Sequence, residues 1–175
     1  MLQLADVHRP QKTWFIHTCL ILVSTCLLLA LAAPQARADG VAKVVFHADF
    51  ADPRRFSAML TSINNMVNYY EDNLMEYDVR IVFVAHGIRF VTDDKLVDTP
   101  FAEDKALAGQ RENLRGRLLS LADTRGVKLE LCNITRSQIG LVEDKLYSGV
   151  QLVPSGVAQL AGLQQEEGFA YLKIE

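Results

Sequence analysis

Cysteine is scarce in this 175-residue chain. There are three, an odd number, so at least one has no partner within the chain. No Cys-x-x-Cys is present, which excludes thioredoxin-like dithiol exchange within one chain. Glycine and proline number ten and five, too few for a low-complexity or collagen-like chain. Basic charge is not in excess either: 18 Lys and Arg face 21 Asp and Glu, for a net charge of −3. With a pI near 5.8 the chain lacks the basic field of a nucleic-acid binder. Also missing are a G-x-G-x-x-G after a strand, a Walker loop, H-E-x-x-H and the G-x-S-x-G elbow, so no cofactor is expected.

What is present begins with an address. A polar stretch carrying His8, Arg9 and Lys12 precedes an apolar run from Cys19 to Ala33, then Pro34 and the small-residue exit Ala36-Arg37-Ala38. This is the pattern of a secretory signal peptide over residues 1–38, cut before Asp39. An uncleaved anchor is the alternative, but the apolar run is short of the roughly 20 residues a membrane span needs. The expected location is the periplasm, with membrane contact only through the signal. Without residues 1–38, which hold Arg9, Lys12, Arg37 and Asp6, the chain keeps 15 basic and 20 acidic residues, a charge of −5. Cys19, Cys26, His8 and His17 leave with the signal, so the domain of residues 39–175 retains one cysteine, Cys132, and two histidines, His47 and His86.

Short apolar runs then alternate with amphipathic ones. Val41 to His47 reads as a strand, and Asp52 with Pro53 starts a helix whose stripe runs from Phe56 to Tyr70 and which reaches about Met75. Val79 to Ala85 is nearly all apolar, as in a strand buried on both faces. Residues 88–108 show no period and read as a loop or irregular insertion before a helix over 109–124, which Gly126 ends. Val127 to Cys132 is a third strand, Ser137 to Tyr147 a short helix, and Val150 to Val153 a fourth strand. Ser155 caps a helix to about Glu166, and Phe169 to Ile174 closes the chain as a fifth strand. This alternation predicts a three-layer α/β fold with a mostly parallel sheet, in a single domain.

His47, His86 and Cys132 each end a different predicted strand. In an open parallel sheet such ends share the edge where ligands bind. Asp49 and Asn133 lie beside them, and Ser155 follows the fourth strand onto the same rim. Strand parity sets Leu129 and Leu131 on one face and Lys128, Glu130 and Cys132 on the other, away from the leucines. A helix starting near Ser137 would offer a positive dipole end, which favours thiolate. These features suit a nucleophilic or sulfur-carrying cysteine.

Blander readings stand beside this one. A cysteine at a strand end often packs as a small buried hydrophobe, and His47 and His86 could simply hydrogen-bond loop carbonyls. A His-His-Cys metal site is chemically reasonable, but the three residues lack a short local spacing. Arg54 and Arg55, in a helix's first turn, read as solvated side chains. Asn133-Ile134-Thr135 fits a glycosylation sequon, a triplet that arises by chance and is discounted behind a bacterial-looking signal.

The ordered set Lys43–His47, Val84–Gly87, Arg125–Thr135, Val153–Leu160 and Gly168–Tyr171 resembles the DsrE/DsrF-like family over residues 42–175. The resemblance implies a five-stranded flavodoxin-like domain, assembled as a homotrimer or hexamer. It also implies kinship with the DsrEFH and TusBCD sulfur-relay subunits, which pass sulfane sulfur along cysteine persulfides. Cys132 matches the position of the active cysteine there, after the strand that follows the Arg-Gly turn. The signal peptide and the long acidic segment 88–108 depart from those cytoplasmic proteins, so their partners are not carried over. The leading expectation is an exported sulfur carrier, a sulfurtransferase-like protein. Cys132 would be the persulfide acceptor, His47 and His86 would tune it, and a small sulfur anion or a donor or acceptor protein would be the partner. The alternative is a non-catalytic oligomeric module that binds a small ligand or metal at the His47, His86 and Cys132 rim.

Overall fold

The computed structural model describes residues 40–175; the anticipated signal over residues 1–38 lies outside the described residues. β1 (Ala42–Ala48) leads to α1 (Pro53–Asp72), where the Asp52 carboxylate accepts from the Arg54 amide at 2.8 Å and Pro53 opens the first turn. Phe56, Met59, Leu60, Ile63 and Val67 form the buried stripe. The helix stops short of Met75 because the Asn73 amide and side chain both turn back to the Tyr69 carbonyl and Leu74 goes left-handed at φ 52°.

β2 (Tyr77–Phe83) runs two residues earlier than its apolar pattern suggests. The Val84 amide still bonds the Ala48 carbonyl, but Ala85 then turns at φ 49° into a 3-10 segment, Ala85–Phe90. The stretch expected as a loop is irregular, yet it is a buried part of the core. Ile88, Phe90, Val91, Leu96 and Leu107 are all inside. Its order comes from distant residues: the Arg111 guanidinium donates to the Arg89 and Thr92 carbonyls and to Glu103, and the Tyr147 hydroxyl donates to Thr92 O at 3.0 Å. Such ties leave no periodic trace in the local sequence.

α2 (Lys105–Ala108) and α3 (Arg111–Arg125) follow, and Gly126 caps α3 at φ 64°. β3 (Lys128–Cys132) passes directly into α4 (Asn133–Gln138). The helix expected over Ser137–Tyr147 therefore begins earlier and is shorter, because left-handed Gly140 at φ 67° ends that run. A 3-10 turn at Glu143–Lys145 leads to β4 (Val150–Val153). α5 (Gly156–Gln165), capped by Ser155 Oγ on the Ala158 amide, and β5 (Ala170–Leu172) complete the described residues.

Among the described residues the five strands form one sheet in the order β4-β3-β2-β1-β5, with every pair parallel. The fold is α/β with helices on both faces, consistent with a flavodoxin-like arrangement. From β1 to β4 the chain steps in one direction across the sheet, so right-handed crossovers put α1 and α3 on one face. The step from β4 back to β5 reverses direction and puts α5 on the other. The two apolar clusters follow this division. Phe46, Ile81, Phe83, Leu129 and Leu131 pack with α1 and α3, while Val45 and Val82 pack with Leu160, Leu163 and Phe169. No helix among the described residues is long and apolar enough to cross a membrane.

Candidate functional site

The loop leaving β3 feeds α4 on one face, and the loop leaving its neighbour β4 feeds α5 on the other. Adjacent strands whose connections part in this way open a crevice at their carboxyl ends. Cys132 ends β3 and Val153, its register partner, ends β4. The thiol therefore stands at the base of that crevice, with α4 starting from it and α5 starting across from it.

Cys132 takes the N-cap position of α4, at φ −60° and ψ 113°. Glycine at 156 lets α5 come close: a Cβ there would lie 2.9 Å from Cys132 Cβ and 2.6 Å from Val84 Cγ2. Only 4% of Cys132 is exposed. Burial pushes its thiol pKa up, but the amides of Gly156, Thr135 and Ile134 and the Thr135 hydroxyl favour the ionised sulfur and outweigh it. The net position is below the ordinary value. Thr135 is itself held in place, since its Oγ1 accepts from the Ala85 amide at 3.1 Å and so keeps its proton free for the sulfur. Ala85 adopts a left-handed conformation to make that bond, a cost of order 1–3 kcal/mol for a residue with a Cβ. Next to it, Gly87 is required because a Cβ would meet Ala48 O at 2.0 Å.

The other residues anticipated on the rim divide into two groups. Asn133 and Ser155 lie at the crevice, and each is engaged locally. Asn133 Oδ1 accepts from Arg136 Nε at 2.9 Å, and Ser155 caps α5. His86 follows Ala85, and its ring meets Phe101 edge-on at 5.2 Å while its buried Nδ1 has no partner. His47 and Asp49 lie toward the β5 edge of the sheet, away from β3 and β4. His47 Nδ1 pairs with the Tyr171 hydroxyl at 2.9 Å, and Asp49 accepts from Lys173 at 2.9 Å.

Register puts His47 level with Val82 and hence with Glu130, two strands across from β3 and two residues below Cys132. Strand spacing makes that about 12 Å between Cα atoms. His47 and Cys132 thus share a face of the sheet without meeting. Burial holds the His47 pKa below its ordinary value despite the opposing pull of Asp49. No group of three or more His, Cys, Asp or Glu is placed to hold a metal ion among the described residues.

Sequence reasoning passed over Thr135 and Gly156. Each left a signal. Thr135 is the third residue of a helix that starts at Asn133, and a glycine just inside a capped helix is unfavourable unless close packing demands it.

These features define a class: a small α/β protein whose described residues form an all-parallel sheet with one thiol, Cys132, set among amide donors at its carboxyl edge. A model of the DsrE/DsrF-like family matches residues 24–174, and the chain belongs to that family. The match reaches back into the apolar stretch that precedes residue 39. Eight solved chains match as well. Among them is MTH1491 from Methanobacterium thermoautotrophicum, a protein of unknown function. It is 25% identical at a TM-score of 0.52, over 75% of this chain and 98% of that one. No curated protein matches.

Proposed function

We propose that this protein carries sulfane sulfur as a persulfide on Cys132, after export to the periplasm by its amino-terminal segment and as a homo-oligomer. The observation that carries the reading is the placement of Cys132 at the carboxyl end of β3, as N-cap of α4 and against Gly156 of α5, where neighbouring amides favour the ionised sulfur. Thiolate is the attacking species in sulfur exchange. The Cys132 thiolate attacks the outer sulfur of a donor R–S–SH. A bond forms from Sγ to that sulfur, the donor's S–S bond breaks, and R–S⁻ leaves. With thiosulfate the leaving group is sulfite. Neither exchange needs an outside oxidant or reductant. His47 lies too far across the sheet to take part directly, and His86 is linked to the site through its neighbour Ala85, whose amide donates to Thr135 Oγ1.

Incubating the protein with thiosulfate or polysulfide and weighing it intact tests this. A gain of about 32 Da that Cys132→Ser abolishes is expected. No gain, or an equal gain in the variant, overturns it.

The burial of Cys132 favours a second reading, a non-catalytic binding module with an inert thiol. Thiol labelling of the native protein separates the two, because a cysteine that reacts only after denaturation is not a carrier.

A further inference from the structure

Glu130 is a carboxylate buried near the middle of a parallel sheet, an expensive place for a charge that does nothing. It lies two residues before Cys132 and on the same side of β3. Its Oε1 accepts from Arg80 of β2 at 3.2 Å, and its Oε2 accepts from Gln159 Nε2 of α5 at 2.9 Å. Arg80 is in turn held by Asp78 at 2.9 Å and by Glu167, beyond the end of α5, at 3.3 Å. Lys128 closes the group through Asp78 at 2.8 Å.

The spacing matters more than the charge. Gly156 and Gln159 are three residues apart and share one face of the first turn of α5. Cys132 and Glu130 are two apart and share one face of β3. α5 returns across the sheet against the strand direction, so Gly156 meets Cys132 and Gln159 meets Glu130 one step below. The contact at the top has no side chain to hold it, because position 156 must be glycine for α5 to approach at all. Only the pair beneath it bonds α5's first turn to β3 through side chains.

We propose that Glu130 and Gln159 are positioning residues for Cys132: their hydrogen bond clamps the first turn of α5 onto β3 and so keeps the Gly156 amide on the sulfur. The proposal rests on the persulfide reading for its purpose but not for its test, which reads the thiol's titration without any sulfur donor. Failure of one therefore leaves the other standing.

The test follows the ultraviolet absorbance of the Cys132 thiolate against pH, which needs no access for a reagent, in the full-length chain with Cys19 and Cys26 replaced by serine. Gln159 is only half-buried, so Gln159→Leu and Gln159→Glu leave the apolar clusters intact. The first removes the donor and the second sets two carboxylates together. Each is expected to raise the titration midpoint by about one unit. Combining Gln159→Glu with Glu130→Gln exchanges donor and acceptor, restores an N–H···O bond between the same positions, and should return the midpoint to the wild-type value. The exchange leaves an oxygen at position 130 for Arg80. Single variants that titrate like wild type overturn the proposal, as does an exchanged pair whose midpoint stays raised while its far-ultraviolet circular dichroism is native. If the single variants fail to fold, the exchanged pair alone decides.

Discussion

Gly156→Ala adds one methyl group where α5 crosses Cys132. Its carbon would lie 2.6 Å from Val84 Cγ2, 2.9 Å from Cys132 Cβ and 3.4 Å from Val82 Cγ1. Carbon atoms in comfortable contact stand about 3.5–4.0 Å apart, so roughly 1 Å must be found. Val84 is half-buried and can rotate, but Cys132 Cβ is fixed to the backbone of β3, and so α5 has to lift. Overpacking of this kind costs about 1–3 kcal/mol, against a helix-propensity gain of less than about 1 kcal/mol. A net loss of about 1–2 kcal/mol should appear as a lower urea midpoint with an unchanged slope. The same lift draws the Gly156 amide from the sulfur. Losing one donor to a charged group should raise the thiol pKa by about one unit and slow alkylation below the midpoint about tenfold. Wild-type stability together with a wild-type titration would refute the packing argument. A loss of stability without a shifted titration would show that the amide has no hold on the thiolate.

Cys132 itself makes stability depend on pH. Its folded pKa lies below the unfolded one, so between the two the unfolded chain binds more protons and stability rises with pH. Urea titrations should show a rise in that interval, ending near the ordinary thiol value, that Cys132→Ser removes. His47 has the same sign at a lower pH. Its pKa is held below 6.5, chiefly by burial, so stability should fall as pH drops through 6.5 toward the folded value, and His47→Gln should flatten that fall. Asp104→Ala removes both the cap on the Leu107 amide and the partner of the buried Arg89 guanidinium. Because half of the Asp104 side chain is exposed, the expected loss is about 2–3 kcal/mol, seen as a lower thermal midpoint.

The elements with strong local rules were legible. Asp52-Pro53, the stripe from Phe56 to Val67, the Gly126 cap and the Ser155 cap all occur as their sequence patterns predict. The parity of β3 is likewise as expected, with Cys132 and Glu130 on the face away from Leu129 and Leu131. The helix after Cys132 was misplaced, and residues 88–108, rightly expected to be irregular, were not expected to be buried, for one reason. Residues 88–108 and the run after Cys132 are organised by bonds to distant residues, Arg111 and Tyr147 in one case and the Ala85 amide in the other. Periodicity reports only a segment's own burial pattern and is blind to such ties.

The rim shows the same division. That Cys132 ends a strand and that His47 lies within one residue of the end of another could be read from the chain, because strand ends are local features, whereas His86, expected at a strand end, falls in the 3-10 segment beyond β2. Which of them share a crevice depends on strand order, and strand order depends on crossovers that no short window contains. The order β4-β3-β2-β1-β5 sends His47 to the side of Tyr171 and brings Ser155 and Gly156 to Cys132. The amino-acid sequence alone determined an α/β domain with one cysteine at the end of a strand, since composition and periodicity suffice for that. Only the tertiary structure decided what surrounds the thiol, because the amides of Gly156 and Thr135 reach it through backbone geometry that no residue type encodes.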